Sequence, residues 1–258
     1  MEYEDIKYEK SGGIAKIIIN RPEKGNMFRV KTVEEMIDAF SDVRKDKTVR
    51  AAVLRGAGDK FFCIGGEKAE KIGYHYGATM PIVDLHELID KIQKPVIAAV
   101  NGYAVGGGNV LQAICDLSIA SDKAIFRQVG PAMGSYDAGF GIWYLEQVVG
   151  RKKAKEMWML NRKYSAQEAF TMGLVNDVVP YKKLDERVNE WCGELIKRGP
   201  QALAAIKTSF FAMHNGVAGM ARMSHDMLLQ YYLDTKESKE LRRAFEKKEK
   251  ADKKKFYR

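Results

Sequence analysis

Two glycine corners offer the clearest chemistry in this chain. Asn101-Gly-Tyr-Ala-Val-Gly-Gly-Gly-Asn-Val110 follows the apolar run Pro95 to Val100, and Cys63-Ile-Gly-Gly-Glu67 lies downstream of the apolar run Ala51 to Leu54. Consecutive glycines between a strand and a helix admit positive φ and let a ligand approach the main chain closely. A helix is expected to follow the first corner, with Leu111 to Asp116 as its start, and to direct unpaired N–H groups back at the loop. Such a corner suits a developing negative charge, either a phosphate or an enolate oxygen. A tight packing turn has the same pattern when it stands alone. The second corner tips the reading toward chemistry.

The elements that must position these corners alternate. Ile6 to Tyr8 and Ile14 to Asn20 read as a hairpin about Ser11-Gly-Gly13, followed by a turn at Arg21 to Gly25. A helix is expected from Thr32, carrying Val33, Met36, Ile37 and Phe40 at helical spacing. Leu85, Leu88, Ile89 and Ile92 mark another, ending before Pro95. Further strands are expected at Val96 to Val100, Leu117 to Ala120, Ala124 to Phe126 and Val175 to Val179. Helices are expected through Leu145 and Val149, from Lys152 to Leu160 and from Ser165 to Met172. From Leu184 onward the pattern is helical, as Leu184 to Ile196, Ala202 to Met213, Val217 to Tyr232 and Lys236 to Lys250. Short strands alternating with helices argue an α/β fold. The stretch Lys68 to Pro81 has no clean period, carries Tyr74, His75 and Tyr76, and reads as a loop over a site.

The bulk properties narrow the class. The 258 residues suffice for one large domain, or for one domain with a small helical appendage, and hydrophobic residues make up 46% of them. No run reaches the roughly 18 to 20 apolar residues of a membrane span. Met1 opens into Glu-Tyr-Glu-Asp rather than a signal peptide, so a cytoplasmic protein is expected. Cys63, Cys115 and Cys192 read as reduced core thiols. The scattered histidines 75, 86, 214 and 225 offer no metal spacing, so no metal is expected. The net charge is +9, with much of the excess in the lysine-rich C-terminal run. That run reads as a solvated helix end, or as a basic face for an anionic ligand such as coenzyme A or RNA, although no RNA-binding motif accompanies it.

Taken together, Asn20-Arg-Pro-Glu-Lys, Phe62-Cys-Ile-Gly-Gly-Glu67, Lys94-Pro-Val-Ile-Ala98, Gly102-Tyr-Ala-Val-Gly-Gly-Gly108 and Met172-Gly-Leu-Val175 resemble the crotonase (enoyl-CoA hydratase/isomerase) superfamily over essentially the whole chain. The resemblance implies a ββα-spiral core over residues 1–195 holding the acyl-CoA site. It also implies a helical oligomerisation region over 196–258, assembled as trimers or hexamers. Coenzyme A would arrive as part of the substrate, and the N–H groups of Gly66 and Gly107 would hold the thioester oxygen as it becomes an enolate. Hydratases of the family use two glutamates; their places here fall at Val110 and Gly130, neither of which can move a proton.

Phe126 to Gly141, Lys152 to Trp158 and Tyr231 to Ser238 are similar to a narrower branch. It contains 2-ketocyclohexanecarboxyl-CoA hydrolase, which opens a ring by a retro-Dieckmann reaction, and 1,4-dihydroxy-2-naphthoyl-CoA synthase, which closes one. The branch implies that Asp137 and Ser135 contact the distal carbonyl and that Tyr232 reaches in from the C-terminal region of a neighbouring subunit. Gln128, Gly130 and Trp158 would outline a pocket in which a bicarbonate replaces the missing glutamate; no other cofactor is expected. Tyr74 or Tyr76 would line the acyl pocket, and Lys24 and Arg29 would meet coenzyme A phosphates. Several of these have plainer readings: Asp137 as a helix N-cap, Ser135 as a turn residue, Tyr232 and Trp158 as core. Asn109, Phe28-Arg29 and the short loop 68–81 favour the hydrolase. Thr32 to Phe40 and Asp137-Ala-Gly139 look more like the synthase, while Met27 and Glu67 depart from both. A catalytically silent member that holds coenzyme A esters or RNA is the reading from another class.

Overall fold

The structure is a computed structural model that describes residues 2–67, 81–136, 140–252 and 254. The chain divides into two compact units, Met1–Ala204 and Ala205–Arg258.

The first unit is built on a six-stranded sheet. In chain order its strands are β1 (Ile6–Ser11), β2 (Ile14–Ile19), β3 (Ala51–Gly56), β5 (Val96–Val100), β7 (Leu117–Ser121) and β10 (Asp177–Val179). The β1–β2 hairpin is antiparallel and each later pairing is parallel. The continuous apolar runs of β3 and β5 have a simple cause: these strands are buried on both faces. Ala52, Leu54, Val96, Ala98 and Val100 face the main core, while Ala51, Val53, Ile97 and Ala99 face a smaller one. The smaller core is closed by Leu184, Val188 and Cys192 of a helix spanning Leu184–Ile196.

A second sheet, in the order β4 (Phe61–Cys63), β6 (Tyr103–Val105), β8 (Ile125–Arg127) and β9 (Lys163–Ser165), carries the glycine corners at its ends. Each of these strands has three residues. Only β8 was anticipated, because three residues are too few to display a period. This mixed α/β arrangement, with parallel sheets and C-terminal helices, is the expected fold.

The helices that frame the site are α1 (Val30–Lys45), α2 (Pro81–Lys91), α3 (Gly107–Ala113), α4 (Phe140–Val149) and α5 (Arg151–Leu160). Two starts differ from expectation. α1 begins two residues before Thr32, whose Oγ1 accepts the backbone N–H of Arg29 at 3.1 Å and so serves the first turn from inside it. α3 begins within the glycine run rather than at Leu111. A Cβ on Gly108 would lie 1.9 Å from the Cys63 carbonyl oxygen, so the helix can press on β4 only without side chains there.

The second unit holds the helices Gly216–Asp234 and Lys236–Lys247 and most of Pro200–His214. Its surface exposes Phe210, Met213, Val217, Met220, Met227, Leu228 and Leu233.

Candidate active site

The corners are braced by two buried asparagines. The Asn26 Nδ2 donates to the carbonyls of Ala57 (3.0 Å) and Phe61 (2.8 Å). The Asn101 Nδ2 donates to those of Gly58 and Phe61, both at 3.0 Å. Arg21 adds a clamp: its guanidinium donates to the Met27 carbonyl at 2.6 Å and to the Glu67 carboxylate at 2.6 Å. The chain before Phe28 is thereby tied to the chain after Gly66.

Between these braces the two corners meet on one aromatic ring. Phe28 bridges Gly66 as a one-residue parallel pair, with the Phe28 N–H donating to Gly65 and the Glu67 N–H to Phe28. A Cβ on Gly66 would lie 2.9 Å from the Phe28 ring, and one on Gly107 would lie 2.8 Å from the same ring. A Cβ on Gly65 would lie 3.3 Å from the Gly107 nitrogen. Neither Gly66 nor Gly107 has φ in the left-handed region, so it is the ring, not the backbone angle, that demands glycine here. Their N–H groups make no hydrogen bond among the described residues. Two adjacent unspent main-chain donors can receive one oxygen that carries charge. The Cys63 thiol beneath them is fully buried, and burial pushes it up to about 12, so it stays protonated and inert.

A second cluster lies around the turn after β8. Residues Gly130–Met133 form a 3-10 turn that closes when the Ser135 N–H donates to the Gly130 carbonyl at 2.8 Å. A Cβ on Gly130 would lie 2.8 Å from the Tyr136 Cα and 3.0 Å from the Ser135 oxygen. The turn therefore has no room for a side chain at 130, which gives a steric account of the missing glutamate there. Asn161, in the left-handed conformation at the end of α5, joins this turn to the helix. Its Oδ1 accepts the Ala132 N–H, its carbonyl accepts from Arg127, and its Nδ2 donates to the Trp158 carbonyl. Gln128 and Trp158 are buried, and Gln128 Oε1 and Trp158 Nε1 have no hydrogen-bond partner among the described residues. Val110, at the other glutamate position, is buried against Gly141, where a Cβ would meet its Cγ2 at 2.4 Å.

The remaining expected residues divide by surroundings. Ser135 is exposed at the mouth of its turn, and Lys24 is exposed without an ion pair among the described residues. Arg29, expected at coenzyme A phosphates, spends its guanidinium on Asp5 (2.7 and 2.8 Å) and Glu4. It acts as a strut between β1 and α1 rather than a free cation. Tyr232 belongs to the second unit, where its ring lies 3.8 Å from the Arg242 guanidinium carbon and its carbonyl accepts from Arg242 and Ser238. Asp137, Tyr74, His75 and Tyr76 lie outside the described residues. Sequence reasoning passed over Phe28 and Asn161 as site residues, because a ring and an amide acquire these roles only through partners distant in the chain. No cluster among the described residues could hold a metal ion, and no described helix is long and apolar enough to cross a membrane.

Comparison with known proteins identifies the family. An enoyl-CoA hydratase/isomerase family profile matches residues 9–255. An enoyl-CoA hydratase from Bacillus anthracis is similar at 28% identity with a TM-score of 0.78, over 96% of this chain and 98% of that one. An enoyl-CoA hydratase subunit I from Geobacillus kaustophilus is similar at 29% identity and a TM-score of 0.77, over 98% of each chain. A Pseudomonas aeruginosa protein is 30% identical, with a TM-score of 0.76 over 86% of this chain and 97% of its own. With the family profile matched over residues 9–255 and similar solved structures covering nearly the whole chain, this chain belongs to the enoyl-CoA hydratase/isomerase family, the crotonase superfamily.

Proposed function

We propose that this crotonase-family acyl-CoA enzyme cleaves a C–C bond beside the thioester, by hydrolytic ring opening of a β-oxo alicyclic acyl-CoA such as 2-ketocyclohexanecarboxyl-CoA. One observation carries the reading. The two N–H donors of Gly66 and Gly107 stand unspent side by side, while both positions that serve hydration elsewhere in the family are non-ionisable. Val110 is packed against Gly141, and Gly130 has no space for a longer side chain. A site that can hold an enolate but lacks bases for adding water to an alkene suits a reaction in which the enolate is the leaving group.

The chemistry balances simply. Water, polarised by Asp137, adds its oxygen to the ring ketone, and its proton passes to that carboxylate. The tetrahedral alkoxide re-forms C=O as a carboxylic acid, and the C–C bond to the α-carbon breaks. The electron pair of that bond becomes the thioester enolate, whose oxygen is held by the Gly66 and Gly107 N–H groups. Each such donor contributes about 3 to 4 kcal/mol to the transition state. Tyr232, contributed by a neighbouring copy, protonates the α-carbon, with Ser135 orienting the distal carbonyl. The exposed apolar side chains of residues 205–258 support assembly with further copies of this chain as trimers or hexamers.

Ring closure of succinylbenzoyl-CoA, the naphthoyl-CoA synthase reaction, is the second reading. The buried, unpartnered Trp158 Nε1 beside the Gly130 turn favours it, because that donor fits an anion such as bicarbonate. Trp158 and Gln128 would hold the anion, which would supply the base that Gly130 does not. Mass spectrometry separates the readings. Gain of one water by 2-ketocyclohexanecarboxyl-CoA supports ring opening, and loss of one water from succinylbenzoyl-CoA supports closure. If neither thioester changes, both substrate assignments fail.

A further inference from the structure

Behind the Gly66 donor stands a charged side chain. Arg21 opens the turn after β2, and its main chain is fixed there: its N–H donates to Asn26 Oδ1 at 3.0 Å and its carbonyl accepts the Asn26 N–H at 2.9 Å. The side chain is largely buried, at 12% exposure. Its guanidinium donates at 2.6 Å to the Met27 carbonyl and at 2.6 Å to the Glu67 carboxylate, and its Nε lies 3.6 Å from Asp5 Oδ1. A hydrogen bond from an ionised donor is about twice as strong as a neutral one, so the bond to Met27 is a firm anchor for main chain.

The Met27 carbonyl is the first link of a chain that ends at the cradle. A peptide is planar and trans, so a carbonyl and the N–H across the same C–N bond point in opposite directions. The Met27 carbonyl therefore shares its plane with the Phe28 N–H, which donates at 3.0 Å to the Gly65 carbonyl. The Gly65 carbonyl in turn shares its plane with the Gly66 N–H, which is left pointing away from the Phe28 backbone. Fixing one end of this chain fixes the direction of the donor at the other. On the far side of Gly66 the Glu67 N–H donates to the Phe28 carbonyl at 2.9 Å, so the following peptide is held as well. Hydrogen-bonded peptides in series also polarise one another. A cation on the first carbonyl draws electron density toward itself and leaves the last N–H more positive.

We propose that Arg21 is a positioning residue for the enolate cradle, acting on the Gly66 N–H through the Met27–Phe28 and Gly65–Gly66 peptides and making it a stronger donor to the thioester oxygen. The inference rests on the cradle reading above and deepens it, by adding a charge that never touches the substrate. The pairing with Glu67 has a second consequence. That carboxylate follows the donor directly in the chain, and without a cation beside it, it would repel a developing enolate. Lysine could supply the charge but would hold the Met27 carbonyl less firmly, because the guanidinium offers several N–H groups in one fixed plane.

The probe is cyclohexanecarboxyl-CoA with an isotope-labelled thioester carbonyl, which offers no β-ketone to cleave. Infrared difference spectra of its complex with the full-length protein read how strongly the bound carbonyl is polarised. The wild type should lower the carbonyl stretching frequency below that of the free thioester. Arg21→Met should lose roughly a third of that shift, as expected for two bonds in series that each strengthen the next by about 10–30%, and Arg21→Lys should recover part of the loss. Glu67→Gln separates the relay from a mere brace. It removes the ion pair but leaves the guanidinium on Met27, so its shift should equal or exceed that of the wild type; this arm decides the matter even where Arg21→Met does not fold. A smaller shift in Glu67→Gln, or an undiminished one in Arg21→Met, overturns the proposal and leaves the cradle standing. Absence of any shift in the wild type, or failure of the ester to bind it, overturns the cradle reading and the proposal together.

Discussion

The corner around Phe28 and the turn from Gln128 to Ser135 solve different problems. At the first, the groups offered to a ligand belong to the main chain. Each is held by contacts that leave no freedom: Asn26 and Asn101 beneath, Arg21 across the top, and one ring against both glycines. At the second, the groups on offer are side chains, and Gln128 Oε1 and Trp158 Nε1 are buried without partners among the described residues. A finished backbone cradle suits the step shared by every enolate-forming thioester. Under the proposed reading, unpaired side-chain groups suit whatever distinguishes one substrate from another. The first region is fixed through main-chain packing, whereas the second keeps buried side-chain polar atoms unpaired among the described residues.

The largest effect is expected at the residue proposed to polarise the attacking water. Asp137→Asn is expected to lower turnover by about 10²- to 10⁴-fold with an unchanged thermal melt. Unchanged turnover would remove Asp137 from the mechanism. Gly107→Ala tests the cradle directly and should lower kcat by roughly 10²- to 10³-fold. Because the added methyl meets the Phe28 ring and not a backbone restraint, pairing it with Phe28→Leu should recover part of the loss. A double variant no better than Gly107→Ala would mean that the ring does not set the cradle. Trp158→Phe probes the other side of the comparison. It removes an unpartnered donor, so stability should hold or rise by about 1 kcal/mol, while turnover and any bicarbonate activation fall roughly ten-fold. A stability loss without a kinetic effect would make Trp158 ordinary core.

The smallest expected effect lies in the strut below the cradle. Burial pushes the Asp5 carboxyl up, but hydrogen bonds from Arg29 and Thr32 and the charges of Arg21 and Arg29 outweigh it, leaving the group below its ordinary value. A carboxyl lowered on folding contributes stability that is present above its unfolded value of about 3.9 and is lost as pH falls through its folded value. Denaturant midpoints measured down to acid pH should therefore fall further for the wild type than for Asp5→Asn. Parallel curves would show that Asp5 is not held in the way described.

The hairpin, the buried central strands and the helix Leu184–Ile196 were legible because each is long enough to show its period or its apolar run. The glycine corners were legible for a different reason: only glycine tolerates such close approach, so the requirement is written in composition. The second sheet was mostly invisible, since β4, β6 and β9 are three residues each and are held by partners far along the chain. Arg29 shows the same limit in a side chain. A cation beside a turn looks free in the sequence, and only the fold places Asp5 and Glu4 around it.

Local pattern alone therefore determined the α/β alternation and the two places where main chain would be laid bare, while the family resemblance singled out Val110 and Gly130 as positions without an acidic group. The tertiary structure decided that both corners press on the Phe28 ring, that Asn161 clips the Gly130 turn to α5, and that Arg21 reaches Glu67. The reason is physical. Glycine spacing and apolar period act between near neighbours, whereas a ring contact, an amide clip or a guanidinium clamp exists only when segments dozens of residues apart are packed together.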